Sequence, residues 1–121
     1  MRKTAIALIV LLSLLSVSAF GQDFTEKARI QYLIESVEAL EGAKFIRNGR
    51  EYDARAASSH LRLKLTTLGD RVRTAEDFIN LCASRSSMTG KPYVIILADG
   101  SRLQSEAFFR SRLQRFVPNK P

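Results

Sequence analysis

The fold is decided by the segment from Thr74 to Tyr93, TAEDFINLCASRSSMTGKPY. It combines a capped helix start, a polar loop and the entry to an apolar strand. Thr74, Glu76 and Asp77 supply a capping oxygen and two carboxylates where the free N–H groups and the dipole of a helix favour them. We predict a helix that starts at Thr74 and ends near residues 83–84. Its inner face comprises Ala75, Phe78, Ile79 and Cys82.

A polar loop, Arg85 to Pro92, follows this helix and leads into the most strand-like segment of the chain, Tyr93 to Ala98. A continuous apolar run of this length predicts a strand that is buried on both faces, at the centre of a small antiparallel sheet. Asp99-Gly100 is a tight-turn signal, so we expect residues 101–103 to return as a short strand.

The segment from Phe24 to Glu41 predicts a first helix, because its apolar residues recur at helical spacing. Asp23 and Glu26 resemble a capping box, and Gly42 can take the left-handed conformation that ends a helix. The apolar positions are Ile30, Leu33, Ile34, Val37 and Leu40.

Asn48-Gly49 predicts a β-hairpin between the segments KFIR and REY, because both residues accept the positive φ of a tight turn. Phe45 and Tyr52 would anchor the hairpin to the core, and Arg47 and Arg50 would lie in solvent. An isolated hairpin is barely stable, so we expect it to pair with another strand or to lie on a helix.

Asp53 and Gly69 predict the start and the end of a second helix. A strand is the alternative for residues 61–65, but the longer helical stripe and its alanines favour a helix. The stripe comprises Ala54, Ala57, Leu61, Leu65 and Leu68, and the outer face comprises Arg55, Ser59 and Arg62.

Ser105 predicts the cap of a last helix, which Pro118 ends. The apolar stripe of that helix comprises Phe109, Leu113 and Phe116. The element order is therefore α-β-β-α-α-β-β-α. This order predicts one α+β domain over residues 22–121, with about four helices and a small antiparallel sheet.

Residues 1–21 have the layout of a secretory signal peptide, with basic residues 2–3 before an apolar run from Ala5 to Val17. Ala19 and Gly21 suit a cleavage after Gly21, and a cleavage after Ala19 also fits. A retained membrane anchor is the alternative, although the run is shorter than the roughly 20 residues of a spanning helix. No cysteine stands at the site, which excludes a lipoprotein anchor. We expect a periplasmic or secreted protein that is not an integral membrane protein after cleavage.

The chain is basic, with 19 Lys and Arg against 12 Asp and Glu and a net charge of +7. Loss of Arg2 and Lys3 with the signal peptide leaves seventeen basic and twelve acidic residues, a net charge of +5. This balance suits an anionic ligand, an envelope protein or an anionic envelope polymer as partner. A solvated basic face is the alternative. Export, and the lack of a basic run with interleaved aromatics, argue against nucleic acid.

His60 and Cys82 are the only histidine and cysteine, so the chain has neither an internal disulfide nor a structural zinc set. We expect a buried thiol, with a reactive or intermolecular thiol as the alternative. Gly90-Lys91 does not form a phosphate loop, because Arg85 stands where that motif needs a glycine and Pro92 stands where it needs a hydroxyl. We expect no cofactor and no metal.

Four segments carry a resemblance to a known family: Phe45 to Gly49, Ser59 to Leu65, Thr74 to Ile79 and Ala83 to Tyr93. Through them the chain resembles the YfeK-like proteins, a family of small exported bacterial proteins of unknown function. The resemblance implies an exported, periplasmic bacterial protein. It brings no activity and no catalytic residues.

We predict a non-enzymatic module that binds an envelope partner or an anionic ligand. Hydroxyls and backbone N–H groups of the loop would bind the anion together with basic side chains. The candidate residues are His60, Arg62, Arg85, Ser86, Ser87, Thr89 and Lys91, with Arg47 and Arg55 nearby. In the alternative interpretation the loop is a connector whose hydroxyls satisfy its own backbone.

Two other function classes stay open. The first is a small hydrolase in which His60 acts as a base for Cys82 or for a serine, although no sequence pattern positions these groups together. The candidate serines are Ser84, Ser86 and Ser87. The second is a structural or assembly role, which predicts an exposed apolar patch for a partner chain. We assign no catalytic residues.

Overall fold

The computed structural model describes residues 25–117, which form four helices and a four-stranded sheet. The proposed signal peptide lies outside the described residues and stays a prediction, as does the role of Pro118. The elements are α1 over residues 25–38, β1 Lys44–Arg47, β2 Arg50–Tyr52, α2 Ala54–Leu68, α3 Ala75–Phe78, β3 Val94–Ile96, β4 Arg102–Gln104 and α4 Ser105–Arg115. The predicted α+β class and element order are confirmed.

The sheet has the strand order β2-β1-β3-β4, and every neighbouring pair is antiparallel. The register aligns Tyr52, Phe45, Ile95 and Leu103 in one row across the four strands. Phe45 and Ile95 in the middle of this row are buried, and the outer two are half-buried. The row is therefore the face of the sheet that packs on the helices.

The tight turn between β1 and β2 is the one that Asn48-Gly49 predicts. Asn48 has φ 52° and Gly49 has φ 78°, and both values lie in the left-handed region that these two residue types tolerate. The hairpin does not stand alone, because β1 also pairs with β3. The β3 strand thus has the internal position that its apolar sequence predicts.

The prediction that β3 is buried on both faces is wrong. Ile95 is fully buried, but its neighbours Val94 and Ile96 point to the other face and are only half-buried. The reason is the layer order: the helices lie on the face that carries Ile95. Three apolar residues in a row therefore give one buried and two partly covered side chains.

The core is built from the inner faces of the helices against this row of the sheet. Phe78 and Phe109 are almost fully buried, and their rings meet edge to face with centroids 5.9 Å apart. Truncation of such a ring to alanine typically costs about 3–5 kcal/mol. Four of the five residues of the predicted α1 stripe are buried in the core, namely Ile30, Leu33, Ile34 and Val37. The fifth, Leu40, lies beyond the end of α1 and is half-buried against the core.

The helix over residues 75–83 begins as predicted and changes its winding halfway. The side chain of Thr74 accepts from the N–H of Asp77, and Asp77 accepts from the N–H of Thr74, which closes a capping box. After Phe78 the helix widens into a π-helical turn, Ile79–Ala83. Ser84 closes this turn by donating its hydroxyl to the carbonyl of Ile79 at 2.6 Å. The predicted end near residues 83–84 is confirmed.

Two predicted helix ends are wrong. The first helix ends at residue 38 rather than at Glu41, because residues 39–42 form a turn in which Leu40 donates to the carbonyl of Val37. Ser105 does not cap α4. It is the first residue of that helix, it is buried, and its N–H donates to the carbonyl of Tyr93. A buried N–H group needs an acceptor, and the carbonyl of Tyr93 supplies it, so Ser105 is held inside the helix start rather than at the cap position.

The predicted capping box of the first helix stays a prediction, and the structure shows a different role for Glu26. Asp23 lies outside the described residues. The carboxylate of Glu26 accepts a hydrogen bond of 2.9 Å from the N–H of Ala75, at the start of α3, and forms an ion pair of 2.8 Å with Arg29. Glu26 therefore caps a helix that lies 49 residues further along the chain.

Candidate functional site

An apolar cavity of about 150 Å³ lies between the β1–β2 hairpin and α2. Its floor consists of Val37, Ala83 and Phe109, which are 0 %, 0 % and 2 % exposed. Phe45 and Leu61 add to its apolar walls. The cavity thus reaches into the hydrophobic core, and its depth depends on Ala83, a small residue of the π-helical turn.

Three polar side chains from three elements form the mouth of the cavity: Arg47 of β1, Tyr52 of β2 and His60 of α2. The Nη1 atom of Arg47 lies 2.8 Å from Nδ1 and 2.7 Å from Nε2 of His60. Its Nη2 atom lies 3.5 Å from the hydroxyl of Tyr52, and the guanidinium lies 5.3 Å from the centroid of the Tyr52 ring. The guanidinium is therefore held between these two side chains.

Arg47 is half-buried, so the prediction that it lies in solvent is wrong. Strand alternation explains its position, because Arg47 follows the buried Phe45 by two residues and shares its face of the sheet. Its opposite neighbour, Arg50, is exposed as predicted. The alternation was the signal in the sequence that could have placed Arg47 at the mouth.

The surroundings of His60 favour the neutral form of its imidazole. Burial lowers the pKa of His60 below its usual 6.5, and the positive charges of Arg47 and Lys64 lower it further. An unprotonated ring nitrogen can then accept the hydrogen bond that Arg47 donates. The Tyr93 ring meets the imidazole edge to face at 6.3 Å and fixes its orientation.

Arg47 at the mouth and Lys64 beside it have no carboxylate partner among residues 25–117. The ion pairs in this part of the chain use other cations. Lys64, one turn beyond His60 on α2, donates to the hydroxyl of Tyr93 at 3.3 Å and to the carbonyl of Arg85 at 3.4 Å. Arg47 and Lys64 therefore give the mouth an uncompensated positive potential.

The loop over residues 85–92 uses two of its hydroxyls internally. The Ser86 hydroxyl oxygen accepts hydrogen bonds from the N–H groups of Met88 and Thr89 and from the amide of Asn48. Thr89 donates its hydroxyl to the side-chain oxygen of Asn48 at 2.7 Å. The hairpin tip thus holds the loop in place. These contacts match the connector interpretation for Ser86 and Thr89.

The remaining predicted site residues are not gathered at one point. Ser87 and Lys91 are exposed, and Arg85 forms a long ion pair of 3.9 Å with Glu106. Arg62 pairs with Glu38 of α1. Arg62 follows His60 by two residues on α2. Residues two positions apart are separated by about 200° around a helix axis, so Arg62 leaves the helix on the side opposite to His60. Of the predicted set, only His60 belongs to the mouth.

The structure offers no support for the hydrolase alternative. Within residues 25–117 the side-chain hydrogen-bond partner of the His60 ring is Arg47, and no hydrogen bond joins His60 to a hydroxyl or to a thiol. Ser84 is engaged with the carbonyl of Ile79. Cys82 is fully buried, and burial raises the pKa of its thiol. In the same part of the chain, no three metal-binding side chains form a group that could hold an ion.

Two further features of the described residues bear on the remaining alternatives: the apolar character of the helices and the placement of exposed apolar side chains. In residues 25–117 no helix combines the length and apolar character needed to cross a bilayer. The exposed large apolar side chains stand on different elements, namely Leu63, Leu81, Met88 and Val117. Met88, at 94 % exposure, lies at the tip of the polar loop.

Comparison with known proteins gives the family of this chain. A family of unknown function, DUF5329, matches residues 24–117. The chain is 41% identical over 93 residues to the uncharacterized protein YfeK of Salmonella typhimurium, and the match covers 77% of each chain. No solved structure matches the chain. With the matched region spanning the whole described domain, the chain belongs to the DUF5329 family of unknown function, which bears out its resemblance to the YfeK-like proteins.

Proposed function

We propose that this chain is an exported, non-enzymatic binding protein that takes an anionic ligand at the mouth of its cavity. The observation that carries the proposal is the state of Arg47: a half-buried guanidinium beside an apolar cavity, with no carboxylate partner among the described residues. Partly buried charges in folded proteins are usually paired, so an unpaired one at a cavity suits an anion from outside.

Lys64 and the loop extend this positive rim. Lys64 lies near His60 and donates a hydrogen bond to the carbonyl of Arg85, so the base of the loop lies next to the mouth. Arg85, Ser87 and Lys91 remain exposed and can meet the part of a ligand that projects from the cavity. This arrangement retains the predicted loop as a secondary contact and makes Arg47 the primary one.

Extraction of the protein from cells tests the binding role. The wild-type chain would be purified from the periplasm of a Gram-negative host and denatured, and the released small molecules would be identified by mass spectrometry. We expect an anionic compound with wild type and with Arg71→Gln, which changes an exposed arginine in the short helical turn after α2. We expect its loss with Arg47→Gln. An equal yield from all three proteins, or no compound from any, would refute the proposal.

Export has a separate test. The intact mass of the protein from the periplasmic fraction or the medium should correspond to a chain that begins at Gln22, or at Phe20 if cleavage follows Ala19. A full-length chain recovered from the cytosol alone would contradict the localisation and leave the binding site untouched.

A further inference from the structure

The size of the cavity limits what it can take. Its volume is about 150 Å³, and its floor of Val37, Ala83 and Phe109 is closed by the core. An engineered apolar cavity of about this volume holds a molecule of about the size of benzene. An apolar group of about six carbons therefore fits the space, and a long acyl chain or a fused ring system does not.

The polar end of the same cavity selects the charged group. Arg47 offers a planar fork of N–H donors, which matches the two oxygens of a carboxylate better than a single acceptor. His60 and Tyr52 stand on either side of it, and a neutral imidazole and a phenol add hydrogen bonds without adding charge. Arg47 is the one cation among the described residues that line the cavity, whereas Lys64 lies outside the lining, so the site suits one negative charge next to the apolar group.

We infer that the cavity binds a monocarboxylate that carries an apolar group of about six carbons, with its carboxylate on Arg47 and its apolar group on the floor at Val37 and Ala83. This inference rests on the proposed function and adds the ligand class. Aromatic and short acyl carboxylates share this chemistry, and the experiment separates them.

The experiment uses benzoate and hexanoate as probes and follows the methyl resonances of Val37, Leu61 and Ala83 by NMR. We expect at least one probe to shift these resonances, with intermolecular contacts between ligand protons and the methyl groups. Three compounds serve as controls: benzyl alcohol lacks the negative charge, acetate lacks the apolar group, and biphenyl-4-carboxylate is too large for the cavity. Each should bind at least about tenfold more weakly than the better probe.

Variants of the full mature chain separate the two ends of the site. Arg47→Gln should weaken binding of the probe at least about tenfold. Ala57→Leu should abolish it by filling the cavity that Ala57 lines, and Arg71→Gln, at an exposed arginine that does not line the cavity, should leave it unchanged. Dispersed amide spectra would confirm that each variant is folded. If Ala57→Leu does not fold, the smaller change Ala57→Val serves in its place.

The outcomes distinguish this inference from the proposed function. If neither probe shifts the methyl groups at about 10 mM, where a Kd below about 1 mM would give near saturation, the ligand class is wrong. An anion that still purifies with wild type and not with Arg47→Gln would then leave the proposed function standing. If binding of the probe is unaffected by Arg47→Gln, the assignment of the carboxylate to Arg47 is overturned.

Discussion

The Nη1 atom of Arg47, in β1, lies within 2.8 Å of both ring nitrogens of His60, in α2, although the two residues are 13 positions apart in the chain. This distance is compatible with a neutral imidazole, because a protonated ring would bring two cations into contact. The protonation of His60 is therefore coupled to the folded arrangement of the hairpin on α2.

Stability should fall in mildly acidic solution because of His60. Its pKa in the folded chain is below the 6.5 of an unfolded chain, so the unfolded state takes up the proton first as the pH is lowered. The contribution is fully present above about pH 6.5 and is lost as the pH falls from there through the folded pKa. The groups that face the ring are Arg47, Lys64 and Tyr93.

Urea unfolding at several pH values from about 8 to about 5 measures this effect, with His60→Gln as the comparison. The free energy of unfolding of the variant should depend less on pH than that of wild type over this window. Carboxylates titrate in both proteins and cancel in the difference. Identical pH profiles would show that His60 has the same pKa in the folded and unfolded chains.

Ala57→Leu should stabilise the ligand-free protein. The added carbons enter the cavity, so the free energy of unfolding should rise by about 0.5–2 kcal/mol. Ala107→Leu is a matched control, because Ala107 is exposed on α4 and the two residues have similar helix propensities. If Ala57→Leu lowers the free energy of unfolding and Ala107→Leu does not, the cavity lacks room for a larger side chain.

Asn48 should prove to have two separate structural roles. Asn48→Gly keeps the positive φ but removes the hydrogen bonds to Ser86 and Thr89, so we expect a loss of about 1–2 kcal/mol. Asn48→Ala should cost about 1 kcal/mol more, because alanine disfavours that φ. Chemical denaturation gives both values.

Amide exchange shows where the effect of Asn48→Gly lies. The N–H groups of Thr89 and Gly90, which bond to Ser86, should exchange faster in the variant while the amides of β3 keep their protection. Uniform acceleration across the sheet would contradict the view that the hairpin tip specifically holds the loop.

Cys82 should react with thiol reagents only when the protein opens. Its side chain is fully buried and burial raises the pKa of its thiol, so little thiolate is exposed to a reagent in the folded state. The reaction rate of the native protein with a disulfide reagent should follow the opening rate at high reagent concentration, and urea should accelerate it. Modification as fast as that of a free thiol peptide would refute the burial.

Local patterns account for the parts of the fold that could be predicted. The hairpin depends on Asn48-Gly49, and α1 depends on the 3.6-residue spacing of Ile30, Leu33, Ile34 and Val37, so each was visible within a short window. Burial of β3 on both faces was wrong, because the number of covering layers is a tertiary property. Ser105 was misassigned for a similar reason, since its N–H pairs with a carbonyl twelve residues earlier, at Tyr93.

The site was harder to predict than the fold. The hydroxyl-rich composition of the loop over residues 85–92 predicts an anion site, whereas the hydroxyls of Ser86 and Thr89 form hydrogen bonds within the structure. The cavity depends on residues from α1, the hairpin, α2, the π-helical turn and α4, and no single window contains them. His60 was identified as a candidate, but its pairing with Arg47 requires the packing of the hairpin on α2.

Glu26→Ala should destabilise the protein by about 1–2 kcal/mol, because the N–H of Ala75 and the positive end of α3 lose their acceptor. Lys27→Ala, an exposed neighbour on α1, is the control and should change stability by less than about 0.5 kcal/mol. Thermal or urea unfolding of the two variants compares them. Equal effects would mean that the carboxylate is dispensable.

The same carboxylate has a practical consequence for anyone who shortens or tags this protein. Glu26 lies only five positions after the expected cleavage point. An N-terminal tag or truncation that displaces Glu26 would therefore remove the cap of α3 and destabilise that helix. Fusion partners are better attached at the other terminus. For a protein that starts a few residues after the expected cleavage point, the folding of α3 should be checked in addition to the yield.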